Sequence, residues 1–205
     1  MKLNQLTVGQ LGVNCYIVSC EDTKESLVID PGDNVEIILE KIEQENLQVK
    51  YIVNTHGHAD HIGANTILKN KTKALIAIHS DDAPMLSNPK LNLSIYIGAS
   101  IISDAADIIL NDGDIMTIGN VNLSVLHTPG HTKGGICLLT EGALFSGDTL
   151  FAESIGRCDF PDGSMNDLIH SIQSQLMNLP DDVKVYPGHG PVTTIGWERT
   201  HNPYL

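Results

Sequence analysis

Positive charge is scarce in this sequence. Twelve Lys and Arg stand against 25 Asp and Glu, a formal net charge of −13. Such a chain repels phosphate backbones unless it concentrates its few cations, so nucleic acid is not expected as a partner. Long apolar runs are missing as well: no stretch reaches the ~18 residues of a helical membrane span. Met1 to Gln10 has one lysine and alternating apolar residues but neither the apolar block nor the cleavage site of a signal peptide. It reads as an edge strand, and the chain as cytoplasmic. The four cysteines, Cys15, Cys20, Cys137 and Cys158, include no CxxC pair, so thiols are expected rather than disulfides or thiolate ligands. Low-complexity tracts and short-period repeats are also lacking.

What is present is 205 residues, 41% of them apolar and 18% charged, a balance suited to one soluble domain spanning 1–205. A chain of this size buries roughly 70% of its unfolded surface, enough for a core without staples. Short apolar strands alternate with Gly, Pro and Asp turns. Ser26 to Asp30 is one strand, stopped by Pro31-Gly32. Val35, Ile38, Leu39 and Ile42 repeat at helical spacing from Asn34 to Asn46, with Asp33 or Asn34 as cap. Tyr51 to Val53 and Ala74 to Ile78 are further strands. Asp81 to Ala106 is mixed and reads as a helical flap or a long loop, a candidate cover for a site. A turn at Asn111 to Asp114 precedes a strand from Val121 to Leu126. Gly135 to Leu139 and Ala143 to Phe145 form a hairpin around Glu141-Gly142. Ser164 heads a helix running through Leu179, and Val183 to Tyr186 is a last strand. Each half repeats strands, turns and a helix, which suggests two packed sheets with helices outside.

Four times a strand runs into a turn holding His or Asp: Thr55 to His61, Pro129 to His131, Ser146 to Asp148, and Pro187 to His189. Strand ends fix side chains rigidly, as a metal site requires. His56-Gly57-His58-Ala59-Asp60-His61 packs four candidate ligands into six residues, and imidazole with carboxylate suits zinc. His56 and His58, two apart at a strand end, can point the same way. Asp60 and His61 are adjacent and diverge unless each serves a different ion, which argues for two metals. His79, His127, His170 and His201 are recruited by no motif and read as surface or capping residues.

The segments THGHADH (55–61), HTPGH (127–131), FSGDTLF (145–151) and YPGHG (186–190) resemble the ligand motifs of the metallo-β-lactamase superfamily. Within it the chain is similar to the short hydroxyacylglutathione hydrolase-like, or glyoxalase II-like, proteins, through Ile155 to Phe160, Thr194 to Arg199 and Asn202 to Leu205. The resemblance implies an α/β (α+β) four-layer αββα sandwich with metals at one edge of the sheets. It implies that His56, His58 and His131 hold one divalent ion, that Asp60, His61 and His189 hold a second, and that Asp148 bridges them. Zinc is the first expectation; iron and manganese also fit such donors. The implied activity is hydrolysis of a small-molecule thioester, such as S-lactoylglutathione, by hydroxide generated at the metals. Asp60 and Asp148 are then the catalytic carboxylates, Asp60 orienting the nucleophile. Lys133 and Arg157 would supply positive charge for an anionic substrate.

Two features depart from relatives. Zinc β-lactamases that cleave penicillins carry Cys at the bridging position, where this chain has Asp148, which points away from lactams. Longer glyoxalase II proteins have a C-terminal helical domain that helps bind glutathione, whereas sixteen residues follow His189 here. Alternative readings are a mononuclear iron persulfide dioxygenase, a lactonase or phosphodiesterase-like hydrolase and, least expected, a non-catalytic metal-binding module. The sequence does not specify an oligomeric state.

Overall fold

The computed structural model describes residues 1–205. Two six-stranded sheets face each other. The first runs in sequence order: β1 (Lys2–Val8), β2 (Val13–Ser19), β3 (Glu25–Ile29), β4 (Gln48–Val53), β5 (Leu75–His79) and β6 (Ile108–Leu110). β1 to β3 pair antiparallel, and β3 to β6 are parallel. The second contains β7 (Ile115–Ile118), β8 (Val121–His127), β9 (Ile136–Thr140), β10 (Ala143–Gly147), β13 (Lys184–Pro187) and β14 (Thr193–Thr194), ordered β14-β13-β10-β9-β8-β7. Its β10–β13 pair is parallel. A small hairpin joins β11 (Leu150–Phe151) to β12 (Ser154–Ile155). As its alternation predicts, the N-terminal strand lies at a sheet edge.

Alternation along β3 shows how the layers arise. Leu27 and Ile29 point between the sheets, joining Tyr16, Val53, Leu123, Val125, Leu138 and Phe145 in one buried cluster. Val28 points outward with Ile52, Ile76 and Ile78, against Ile38 and Ile42 of helix α1 (Val35–Gln44) and Leu68 of α3 (Asn65–Thr72). On the far side, Leu144 and Val185 pack against Leu168 of α4 (Met165–Ser171), Ile172, Leu176 and Ile195 of α5 (Ile195–His201). Strands buried on both faces carry near-continuous apolar runs, as Cys15 to Val18 in β2 and Leu27 to Ile29 in β3 do. The order helix, sheet, sheet, helix is the four-layer αββα sandwich of the metallo-β-lactamase fold.

Local chemistry alters two expected elements. Neither Asp33 nor Asn34 caps α1 with its side chain. Asp33 Oδ1 accepts from the Asn34 amide at 2.7 Å, and Asn34 Oδ1 accepts from the Gly9 amide at 2.8 Å, so both groups serve the turn and the β1–β2 loop. The helix from Ser164 starts as expected, Ser164 Oγ accepting from Asp167 N at 3.3 Å, but widens into a π turn over Ile172–Leu176. There Ser174 Oγ donates to the His170 carbonyl at 2.7 Å, the kind of side-chain competition that loosens a helix ladder. All four cysteines are free thiols. No helix is long and apolar enough to cross a membrane.

Candidate metal centre

The four ligand-bearing turns leave β4, β8, β10 and β13 at their C-terminal ends. Beyond β4, Asn54 Nδ2 donates to the His61 carbonyl at 3.1 Å, closing the turn on itself. His58 precedes the short helix α2 (Ala59–Ile62). Successive helical residues diverge by about 100°, so Asp60 and His61 face different directions, as their adjacency requires. Asp30, at the end of β3, has a left-handed backbone (φ 51). Its buried carboxylate accepts from Thr55 N at 2.7 Å and Thr55 Oγ1 at 2.6 Å, locking the residue before His56.

Three groups of donors converge: His56, His58 and His131; His56, His61 and Asp148; and Asp60, His61 and His189, the donor atoms of each group lying within 4.8 Å of one another. Asp148 faces both ends of the array. Its Oδ1 is 3.6 Å from His61 Nε2, and its Oδ2 is 3.6 Å from His131 Nε2 and 3.7 Å from His189 Nε2. Asp60 Oδ2 is 3.4 Å from His189 Nε2 and 3.7 Å from His61 Nε2. Donors about 2.1 Å from a tetrahedral ion stand about 3.4 Å apart, so these separations suit shared cations. The donor set passes a second test. His56 Nε2, His61 Nε2 and Asp148 Oδ1 are buried without a hydrogen-bond partner, and buried polar atoms are normally satisfied. His61 Nδ1 lies 3.0 Å from Asp30 Oδ2, which leaves Nε2 as its inward-facing donor. His131 Nδ1 is 2.7 Å from the Arg157 carbonyl. Donating there leaves Nε2 as a lone pair turned inward, the usual way a protein sets a ligand's tautomer.

Electrostatics divides the site. Burial and the neighbouring imidazoles hold His56 well below its ordinary pKa, and burial with His131 lowers His58 to about 3. These rings are neutral donors at physiological pH. Burial also opposes charge on His61, but Asp60, Asp148 and Asp30 override it and raise the ring to about 10. The carboxylates around His61 therefore demand compensating positive charge.

Above the array opens a pocket of ≈ 660 Å³, with His58, Asp60, His131, Asp148 and His189 at its base. The 81–106 segment supplies part of its wall through Asn92, Leu93, Tyr96 and Ile97. Arg157 lines this pocket, yet its guanidinium makes two 2.9 Å bonds to Asp159 and lies over the Phe160 ring. Lys133 is outside the lining and pairs with Asp162 at 3.1 Å on the surface. Thus, of the two expected substrate cations, the structure brings only Arg157 to the pocket.

His79 and His127 come together with Asp81, but their rings stack at 4.1 Å and 9°. Their in-plane lone pairs run parallel rather than converging. Each already has a nitrogen engaged, His127 Nε2 with the Lys133 carbonyl at 2.9 Å and His79 Nδ1 with the Asp81 amide at 3.2 Å.

Asp82 is a site residue that sequence reasoning missed. Buried at 1% exposure, it accepts from Gly57 N at 2.9 Å, Thr132 Oγ1 at 2.7 Å and Gly134 N at 2.7 Å. One carboxylate thereby ties the turn of His56 and His58 to that of His131. No local pattern marks it. Asp30 was signalled only as the end of a strand before Pro31-Gly32.

Relatives and solved structures agree with this architecture. The chain is 34% identical to hydroxyacylglutathione hydrolase GloC of Haemophilus influenzae, over all of this chain and 98% of that protein. It is similar to the crystal structure of BLEG-1 B3 metallo-beta-lactamase, with TM-score 0.95 and 37% identity over 100% of this chain and 99% of that one. It also resembles TTHA1623 in a di-iron-bound form, with TM-score 0.88 and 33% identity over 98% of this chain and 100% of the other. The family model of the metallo-beta-lactamase superfamily matches residues 8–189, a span that holds every ligand candidate from His56 to His189, and the chain belongs to that superfamily.

Proposed function

We propose that this protein is a binuclear metal-dependent hydrolase acting on acyl thioesters. His56, His58 and His131 would hold one divalent ion and Asp60, His61 and His189 the other, with Asp148 between them. The observation that carries the reading is the position of Asp148, whose two oxygens face both groups of imidazoles at 3.6–3.7 Å beneath an open pocket. Two divalent ions there would supply hydroxide near neutral pH and charge for a carbonyl oxygen. The chain's own residues do the rest. Asp60, half-buried beside His189, is placed to accept a hydrogen bond from a nucleophile and so orient it. The Arg157 carbonyl holds His131 in its ligating tautomer, and Asp30 fixes the turn before His56. A thiolate of pKa near 8.5 leaves without a strong general acid. The GloC likeness supports the thioester class.

A second reading, β-lactam hydrolysis, is favoured by the likeness to BLEG-1. It weighs against the expectation, drawn from Asp148 alone, that points away from lactams.

The test is metal analysis of the purified protein with a thiol-release assay. S-lactoylglutathione is run beside other acyl thioesters, a lactone, a β-lactam and, with oxygen uptake recorded, a persulfide. Two divalent ions per chain and thiol release that disappears in Asp148→Ala, together with most bound metal, are expected. Full thiol release by metal-depleted Asp148→Ala would refute the scheme.

A further inference from the structure

The outer pocket is apolar where a peptide thiol with two carboxylates would need cations. Leu11, in the β1–β2 loop, and Tyr96 and Ile97, in the short 3₁₀ turn Ser94–Ile97, are 60%, 73% and 62% exposed. Leu93, Phe151 and Phe160 continue the apolar lining toward the ligand array. Large exposed apolar side chains gathered at one concave place mark a binding surface rather than random surface composition.

This wall is held in place at its base. Asn92 is fully buried. Its carbonyl accepts from Ala59 N, the first residue of α2, at 2.9 Å. Its Nδ2 donates to the Met85 and Ile101 carbonyls at 3.0 and 2.9 Å. The turn bearing Tyr96 and Ile97 is thus tied directly to the helix that carries Asp60 and His61, while its tip stays in solvent. Charge does not compensate for the apolar character. Arg157 is the one Lys or Arg in the lining, and its Nε and Nη2 are already paired with the two oxygens of Asp159.

We infer that this pocket selects uncharged acyl thioesters through an apolar group, on the acyl or the thiol side, which Tyr96, Ile97 and Leu11 remove from water. The inference rests on the thioesterase reading for its substrate class and on the wall for its selectivity. A glutathione conjugate would bring two carboxylates to an apolar wall whose one guanidinium is already paired with Asp159, so its charges gain little there while its bulk displaces apolar contact.

Two thioester series separate the sources. In one, the acyl group grows from acetyl through butanoyl to hexanoyl on N-acetylcysteamine; in the other, acetyl is kept and an alkyl thiol lengthens. A fully buried methylene is worth about fourfold, so kcat/KM rises roughly two- to fourfold per methylene in at least one series. The lactoyl thioester of N-acetylcysteamine is turned over at least as well as S-lactoylglutathione. The paired substitution Tyr96→Ser and Ile97→Ser flattens the slope. Ile115→Ser, altering an exposed residue on the edge strand β7, leaves it unchanged. Calorimetry with the thioether S-hexyl-N-acetylcysteamine reads binding without turnover. A negative heat-capacity change marks apolar burial, and it shrinks in the Tyr96/Ile97 variant. If no thioester is cleaved, the proposed function fails while this binding measurement still decides the selectivity. Flat series in both arms, a preference for the glutathione thioester of about tenfold or more, or thioether binding indifferent to the paired substitution each overturn the inference.

Discussion

Replacing Asp82 by alanine probes how two ligand turns, far apart along the chain, keep their relative position. The carboxylate is buried and takes hydrogen bonds from Gly57 N, Thr132 Oγ1 and Gly134 N. Truncation leaves two amide donors that cannot rotate to new partners; the Thr132 hydroxyl can. An orphaned buried donor costs about 1–3 kcal/mol, so two give ~2–6 kcal/mol. Part of this is returned, because burial of the Asp82 carboxylate is itself unfavourable and raises its pKa, against the pull of the three donors. A net loss of ~2–4 kcal/mol in the metal-free protein follows. With an m value near 3 kcal/mol/M, the urea midpoint falls by about 1 M. The ligand turns also lose their common anchor, so metal affinity should weaken about 10- to 100-fold, as is usual when groups supporting ligands are removed. Asp82→Asn keeps one oxygen acceptor and should fall between parent and alanine on both scales. Urea unfolding of metal-free protein gives the first quantity, and competition with a chromophoric chelator gives the second. A stability loss below ~1 kcal/mol with unchanged metal affinity would show that the turns hold their places without this carboxylate.

Further expectations follow from the same geometry. A Cβ on Gly188 would overlap the Asp148 carboxylate and crowd the His61 ring, so Gly188→Ala should destabilise by about 1–3 kcal/mol and lower metal content; unfolding and metal stoichiometry equal to the parent's would show that this approach can relax. His79 has its pKa lowered by burial and then by His127. The unfolded chain therefore binds this proton more readily, and the contribution sets in as pH falls through the unfolded value of about 6.5. Metal-free protein should lose stability between about pH 7 and 5 more steeply than His79→Gln, and identical slopes in chemical unfolding would exclude a role for His79.

The ligand types and the turns that carry them were legible in the sequence because both are local. Four donors crowd His56 to His61, glycines flank them, and the divergence of Asp60 from His61 follows from adjacency on any helical turn. The repeat of strands, turns and a helix in each half likewise pointed to two sheets with helices outside. Which donors meet was not local. His131, Asp148 and His189 reach His56 only because β8, β10 and β13 end at the same edge as β4, a matter of strand order and of the Phe145–Tyr16 packing between sheets. Asp82 carried no local signal, since its three donors belong to turns 25 to 52 residues away. The same holds for the cations. Lys133 and Arg157 stand near ligands in sequence, but exposed carboxylates claim both, and only the folded chain could assign them. The wall of Leu93, Tyr96 and Ile97 lies in the stretch that reads only as a helical flap or a long loop, because its conformation is imposed by the buried Asn92 and its contacts rather than by helical or strand periodicity. Residue chemistry fixes what each group can bind, whereas non-local packing decides which groups share the same few ångströms.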